Sequence, residues 1–299
     1  MSDWPVGLST GCFYQLSIFD CLEQIRCGGF TMIEICSSPA HLNYHDLSAV
    51  KDASKFLKSL GMEAYSFHAP FIDVDISAPD QGHRNHSLKE LLIAAEAAAA
   101  MDVRHFVIHP GPDKALVFSI EERMQRLNNA ADVLNKVAKR CQELGVGLVL
   151  ENMLPHLPFG SSSDMLWIMG AMESLNICTC LDTGHAALSG DVYSVMYKLS
   201  GHLRVIHAND NFCTADDHLP PGKGMIDWNR VLFELSETNF HGGLILELSG
   251  STGNDIATTL EAARQSSLYL RNIARQLYLS SPPSVEVATR QGADGKPEH

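Results

Sequence analysis

Clustered cysteine is missing from this chain. Its eight cysteines form no CxxC pair and no framework spacing, which argues against a disulfide-stapled secreted scaffold. Cys36, Cys178 and Cys180 lie inside apolar runs, so buried, reduced thiols in a cytoplasmic protein are expected. Basic residues are scarce: 22 Lys and Arg against 35 Asp and Glu leave a net charge of −13. That disfavours an extended nucleic-acid footprint, because phosphate binding relies on clustered cations, while a local basic patch stays open. Long apolar runs are lacking too. The start, Met1-Ser2-Asp3-Trp4-Pro5, has no basic segment leading into an apolar one, and the Ala-rich stretch Leu91 to Met101 is broken by Glu96. Neither a signal peptide nor a membrane span is indicated.

What is present is a long alternation. With 299 residues and 45% hydrophobic content the chain can bury a large core. Short apolar runs at strand length begin near Val6, Met32, Glu63, His105, Gly147, Ile177, Leu203 and Leu244. Between them lie segments with helical spacing of apolar residues: Ile18 to Ile25, His45 to Leu60, Ser87 to Met101, Ser119 to Leu144, Asp164 to Met172, Val192 to Leu199, a helix from near Asp227, and Asp255 to Leu277. Eight strand–helix pairs in this length predict an α/β fold, a single closed (β/α)₈ TIM barrel. The expected domain covers residues 1–279, with a flexible tail over 280–299 that opens on Ser280-Ser281-Pro282-Pro283.

In such a barrel the residue just after each apolar run carries the chemistry. Those residues are His68, His109, Glu151, Asp182, His207 and Glu247. Each has an ordinary reading on its own, a hydrogen-bonded buried His or a carboxylate capping the next helix. Six in succession are better explained by one convergent ring. Carboxylates meeting at a barrel mouth repel one another unless a cation neutralises them, so a divalent metal is the economical cofactor. A mixed oxygen and nitrogen donor set suits Mn²⁺, Co²⁺, Mg²⁺ or Zn²⁺ alike.

The ordered motifs His68-Ala69-Pro70-Phe71, His109-Pro110-Gly111, Glu151-Asn152, Leu181-Asp182-Thr183-Gly184-His185, His207-Ala208-Asn209-Asp210, Asp216-Asp217-His218-Leu219-Pro220-Pro221-Gly222 and Leu246-Glu247 resemble the xylose isomerase-like TIM barrels. That superfamily includes sugar isomerases and epimerases, inosose dehydratases and endonuclease IV. Resemblance to the ketose 3-epimerases implies one metal on Glu151, Asp182, His207 and Glu247. Glu151 and Glu247 would then remove and return a proton beside a sugar carbonyl through a metal-stabilised enediolate, and His185 would contact substrate oxygens. Resemblance to endonuclease IV implies a metal on His68, His109 and Glu151, a second on Glu151, Asp182, His207 and Glu247, and a third on His185, Asp216 and His218. Such a cluster would hydrolyse a phosphodiester at abasic DNA.

The leading expectation is a metal-dependent isomerase or epimerase of a small carbohydrate or sugar phosphate. The alternatives are the phosphodiesterase and a catalytically idle barrel serving as a binding subunit. The loop from Phe71 to Gly82 bears Asp73, Asp75 and Asp80 with no Lys or Arg, which speaks against a phosphate backbone and leaves a cover over the site open. Leu219 to Trp228 resembles the Pro-Gly-x-Gly-x-Ile-Asp-Trp turn of the sugar-active members, where a structural role with Trp228 as core anchor is expected. Gly250-Ser251-Thr252-Gly253 sits where barrels often bind phosphate, beside Asn254 and Asp255 as an ordinary helix cap. His156, Arg204 and Lys223 receive no role. A homo-oligomer is compatible with the sequence, which is silent on it.

Overall fold

The structure, a computed structural model, describes residues 4–174, 177–249 and 256–280. Its first half runs β1 (Val6–Ser9), α1 (Ile18–Cys27), β2 (Met32–Cys36), α2 (Leu47–Ser59), β3 (Glu63–His68), α3 (Gln81–Ala100), β4 (His105–Ile108) and α4 (Ile120–Leu144). The second half runs β5 (Gly147–Glu151), α5 (Ser162–Ala171), β6 (Ile177–Asp182), α6 (Thr183–Leu188), α7 (Val192–Leu199), β7 (Leu203–Ala208), α8 (Trp228–Glu237), β8 (Gly243–Leu246) and α9 (Ile256–Ser280). The strands are parallel and close in sequence order, β1 pairing with β8 through Val6↔Leu244 and Leu8↔Leu246. This is the (β/α)₈ barrel expected from the alternation.

Helices start where short polar side chains can take up their free N–H groups. Ser17 accepts from Phe19 N, Asp46 from Ser48 and Ala49 N, Ser119 from Glu122 N and Asp227 from Arg230 N. Two local readings are corrected. α3 begins at Gln81, six residues before Ser87, because Asp80 caps it through His83 N and its polar first turns carry no apolar rhythm. α6 was not expected. It is a six-residue turn that Asp182 itself starts by accepting from His185 N.

Strand periodicity divides the interior into two layers. On β5, Leu148 and Leu150 pack outward in the helix layer, Val149 joins Met32, Tyr65, Val107, Cys180, Val205 and Ile245 in the barrel interior, and Glu151 follows Val149 on the inward side. Cys180 and Asp182 on β6, and Val205 and His207 on β7, keep the same rhythm. An apolar plug thus fills the lower barrel and the polar groups crown it. The β2–β3 register shifts between Ile33↔Ala64 and Glu34↔Ser66, placing Glu34 opposite Ser66.

All eight cysteines are free thiols; Cys12, Cys21, Cys141 and Cys180 are buried, whereas Cys36 and Cys178, expected to be buried, are only partly so. Among the described residues no helix is long and apolar enough to cross a membrane. The expected tail falls outside the described residues from position 281 onward, and so does Gly250-Ser251-Thr252-Gly253. α9 runs three residues past Leu277, to Ser280.

At the opposite rim, burial and the adjacent Arg104 and Arg204 guanidinium groups push His105 down to about 4. The folded protein therefore keeps this ring neutral where the unfolded chain, with an ordinary pKa near ~6.5, binds a proton. The contribution is intact above about pH 6.5 and is lost as pH falls toward 4. His105→Gln is expected to lessen the loss of unfolding free energy between pH 7 and pH 5 by up to about 2 kcal/mol. Urea titrations of both proteins at the two pH values check this, and parallel declines would refute it.

Candidate metal centre

Every strand-end residue singled out above arrives at the same mouth. Glu151, only 1% exposed, is its hub. His68 Nε2 lies 3.2 Å and His109 Nε2 3.6 Å from Glu151 Oε2, while His207 Nδ1 lies 2.9 Å from Oε1. His207 Nδ1 is also 3.2 Å from Glu247 Oε2, so the ends of β5, β7 and β8 meet at one nitrogen. Donor atoms of Glu151, Asp182, His207 and Glu247 all fall within 4.8 Å of one another. Three further groups meet the same limit: His68 with His109 and Glu151, Glu151 with Cys180 and His207, and His185 with Asp216 and His218.

Asp182 is fixed from three sides. Its Oδ1 accepts from His185 N at 2.7 Å and its Oδ2 from Asn209 Nδ2 at 2.6 Å. Asn152 bridges the strand ends below it, its Oδ1 accepting from Asp182 N at 2.8 Å and its Nδ2 donating to Asp182 O at 3.0 Å. The glycine of Asp182-Thr183-Gly184-His185 is required by this close packing, since a Cβ at Gly184 would collide with Asn209 Oδ1. Asp182 thus caps α6 while its carboxylate stays within 4.8 Å of the donor atoms of Glu151, His207 and Glu247.

The group of His185, Asp216 and His218 joins α6 to the loop after β7. His185 Nδ1 donates to Asn152 O at 2.9 Å, leaving Nε2 3.5 Å from Asp216 Oδ2. His218 Nδ1 donates to Glu247 O at 2.9 Å, and its Nε2 lies 3.3 Å from the same Asp216 oxygen. His218 holds a left-handed backbone at φ 45, a strained conformation for a residue with a side chain.

Electrostatics mark the centre as a place where positive charge is wanted. Burial would raise Glu151 and Glu247, yet the His207 imidazolium outweighs it and holds Glu247 down at about 2 and Glu151 well below the usual carboxylate range. Asp182 moves the other way: burial and the charges of Glu151 and Glu247 push it up against the pull of His185 and His218. Burial opposes charge on the imidazoles, but neighbouring carboxylates bring His68 up to about 9 and His185 and His218 up to about 10. Protons on histidines neutralise these acids here, and a divalent cation would fit the same donor set. His109 Nδ1 is buried and finds no hydrogen-bond partner among the described residues.

The sequence model of the xylose isomerase-like TIM barrel family matches residues 22–273. The chain belongs to that family. A protein of Methanocaldococcus jannaschii, described as uncharacterized, is 26% identical over 251 residues, covering 82% of this chain and 84% of its own. A D-psicose 3-epimerase of Agrobacterium fabrum is 21% identical over 255 residues, covering 81% and 83%. The crystal structure of a D-tagatose 3-epimerase-like protein superposes with a TM-score of 0.81 at 23% identity, covering 92% of this chain and 98% of the other. Within the xylose isomerase-like barrels, this chain therefore has the fold of the sugar epimerases and isomerases.

The remaining expectations sort by contact. Phe71 does lie over the mouth, its ring 5.6 Å from His68 and 5.2 Å from His109. The acidity of that loop is partly spent inside the fold, since Asp75 pairs with Arg126 at 3.2 Å and Asp80 caps α3. Its repulsion of an anion is accordingly weaker than the sequence suggested. Trp228 is fully buried, and its Nε1 donates to Asp210 Oδ2 at 3.1 Å, in keeping with a structural turn. Arg204 lies at the far rim beside Tyr65 and His105, away from the mouth. Glu34 was missed. It is fully buried on β2 with Oε2 3.0 Å from His207 Nε2, and the only sequence signal was a single acid within Met32-Ile33-Glu34-Ile35-Cys36.

Proposed function

We propose that this chain is a divalent-metal-dependent isomerase or epimerase of small carbohydrates that moves a proton at the carbon beside a carbonyl. The observation that carries the reading is the pair Glu151 and Glu247, both held ionised at neutral pH and both on His207 Nδ1. Glu151, Asp182, His207 and Glu247 would hold the cation. When bound, it would neutralise their charge and stabilise negative charge developing on the substrate oxygens.

The protein groups then divide the work. One glutamate takes the proton from the carbon acid and the other returns one, inverting or relocating the centre according to which carbon receives it. His185, anchored through Nδ1 to Asn152 O, presents Nε2 to a substrate hydroxyl. Phe71 shields the His68 and His109 side from water. A cleft of about 260 Å³ adjoins His185, outside the four proposed cation ligands, and is lined by the hydroxyl and amide groups of Asn152, Ser161, Ser163 and Ser189 and by the charged Asp191 and Lys198, polar groups suited to a polyhydroxylated ligand. The sugar epimerase among its relatives supports the same substrate class.

Incubation of a ketose panel in D₂O with Mn²⁺ tests the proposal. Deuterium is expected at C3 or C1 of at least one sugar, and no incorporation across a broad panel would overturn it. A second reading, phosphodiester hydrolysis at abasic DNA, draws support from two of the additional donor groups, His68–His109–Glu151 and His185–Asp216–His218. Elemental analysis separates the two, with one metal per chain expected for the isomerase and three, with cleavage of an abasic duplex, for the hydrolase. An idle barrel would take up no metal and show no thermal shift with Mn²⁺ or Zn²⁺.

A further inference from the structure

Glu34 does not belong to the donor groups at the mouth, yet it is buried to 0% exposure. Its neighbours on β2 are apolar, and a Leu or Met there would avoid the several kcal/mol that burying a carboxylate costs. Packing does not account for it. Its contacts do: Oε1 accepts from Ser9 Oγ at 3.2 Å, and Oε2 accepts from Ser66 Oγ at 2.8 Å and lies 3.0 Å from His207 Nε2. The strands on either side of β2 therefore each contribute a hydroxyl that sets the direction of this carboxylate. The β2–β3 register shift brings Ser66 opposite Glu34.

The Glu34 carboxylate already takes hydroxyl donors from Ser9 and Ser66, and at 3.0 Å its Oε2 stands as the hydrogen-bond acceptor for His207 Nε2. We propose that Glu34 is a positioning residue: by accepting Nε2–H it fixes the His207 ring so that Nδ1 faces the corner between Glu151 and Glu247, where a bound cation would take the place of the Nδ1 proton. The opposite tautomer would set the Nε2 lone pair against the Glu34 oxygen, and an unanchored ring could turn about its Cβ–Cγ bond. Partners of this kind beyond a metal ligand typically govern metal affinity by about 10–100-fold. The inference rests on His207 being a ligand in the proposed function, and it concerns a residue that touches neither substrate nor cation.

The test uses the full chain stripped of metal. Zn²⁺ affinity is measured by competition with a chromogenic chelator, and the His207 tautomer is read by long-range ¹H–¹⁵N correlation on Zn²⁺-loaded, ¹⁵N-histidine-labelled protein. Glu34→Leu is expected to weaken Zn²⁺ binding about 10–100-fold and to remove the single Nε2–H pattern of His207. Glu34→Gln, whose side-chain oxygen still accepts, is expected to retain the tautomer and most of the affinity. If Glu34→Leu binds Zn²⁺ within about twofold of the parent with the tautomer unchanged, the inference is overturned and the proposed function stands. If the parent itself takes up neither Zn²⁺ nor Mn²⁺, both fall. Should Glu34→Leu not fold, the double variant Ser9→Ala/Ser66→Ala decides: a severalfold loss of affinity supports the inference, and unchanged affinity overturns it.

Discussion

Glu151→Gln is expected to lower proton exchange at the substrate carbon by about a thousandfold or more while leaving the barrel folded. The change is nearly isosteric, so the close packing at the end of β5 is kept. It removes the charge that three histidines face: His68 at 3.2 Å, His109 at 3.6 Å and His207 at 2.9 Å. A Gln amide cannot accept a proton from carbon, and its NH₂ group would meet one of those ring nitrogens as donor against donor. General-base removal alone typically costs about 10²–10⁴-fold, and the loss of one of the four proposed cation ligands adds to it. Exchange rates in D₂O and far-UV circular dichroism check the two halves, and activity within tenfold of the parent would sink the assignment of Glu151. The paired variant Glu247→Gln is the natural comparison, because a base and its partner differ in which direction of reaction each limits.

The second large effect is on the loop that carries Asp216 and His218. Asp210 is completely buried and gathers four donors: Asn211 N, Gly222 N and Ile226 N each at 3.0 Å, and Trp228 Nε1 at 3.1 Å. A two-way backbone pairing with Leu219, at 2.8 and 2.7 Å, closes the loop at its base. Gly224 passes so close that a Cβ would collide with Asp210 Oδ1. Asp210→Ala leaves three backbone N–H groups and an indole N–H without their acceptor, at about 1–3 kcal/mol for each that water does not reach. A net loss of about 3 kcal/mol in unfolding free energy is expected. The group His185, Asp216 and His218 should disperse, while Glu151, Asp182, His207 and Glu247 stay together on their strands. Urea denaturation and metal stoichiometry read the two consequences. A loss below about 1 kcal/mol would mean that the loop is held by something other than Asp210.

The barrel and its mouth were legible in the sequence for one physical reason. Parallel strands buried on both faces read as short apolar runs, and the first polar residue after each run must emerge at the same end of the barrel. Glu151, Asp182, His207 and Glu247 could therefore be placed together without knowing any distance. The third group followed only through family resemblance, since Asp216 and His218 sit on an irregular loop whose path depends on Asp210 and on Gly222 at φ 87. Glu34 escaped notice because its polarity lies within a strand instead of after it, and its partners Ser9, Ser66 and His207 come from three other strands. α6 was missed because a helix of six residues with a glycine second is too short to display periodicity, and what starts it is the metal-competent Asp182. The polar opening of α3 hid for the related reason that its first turns face solvent.

Asn152 bears on how this scaffold could diversify. Its side-chain amide staples the ends of β5 and β6 by a reciprocal pair of bonds to the backbone of Asp182. The separation of Glu151 and Asp182 is thereby set by the sheet and insulated from whatever follows either strand. The segments after them, which shape the cleft beside His185, can be lengthened, shortened or exchanged without carrying those two carboxylates along. Substrate preference becomes a modular property of the loops, and the acid pair an inheritance that loop shuffling does not disturb.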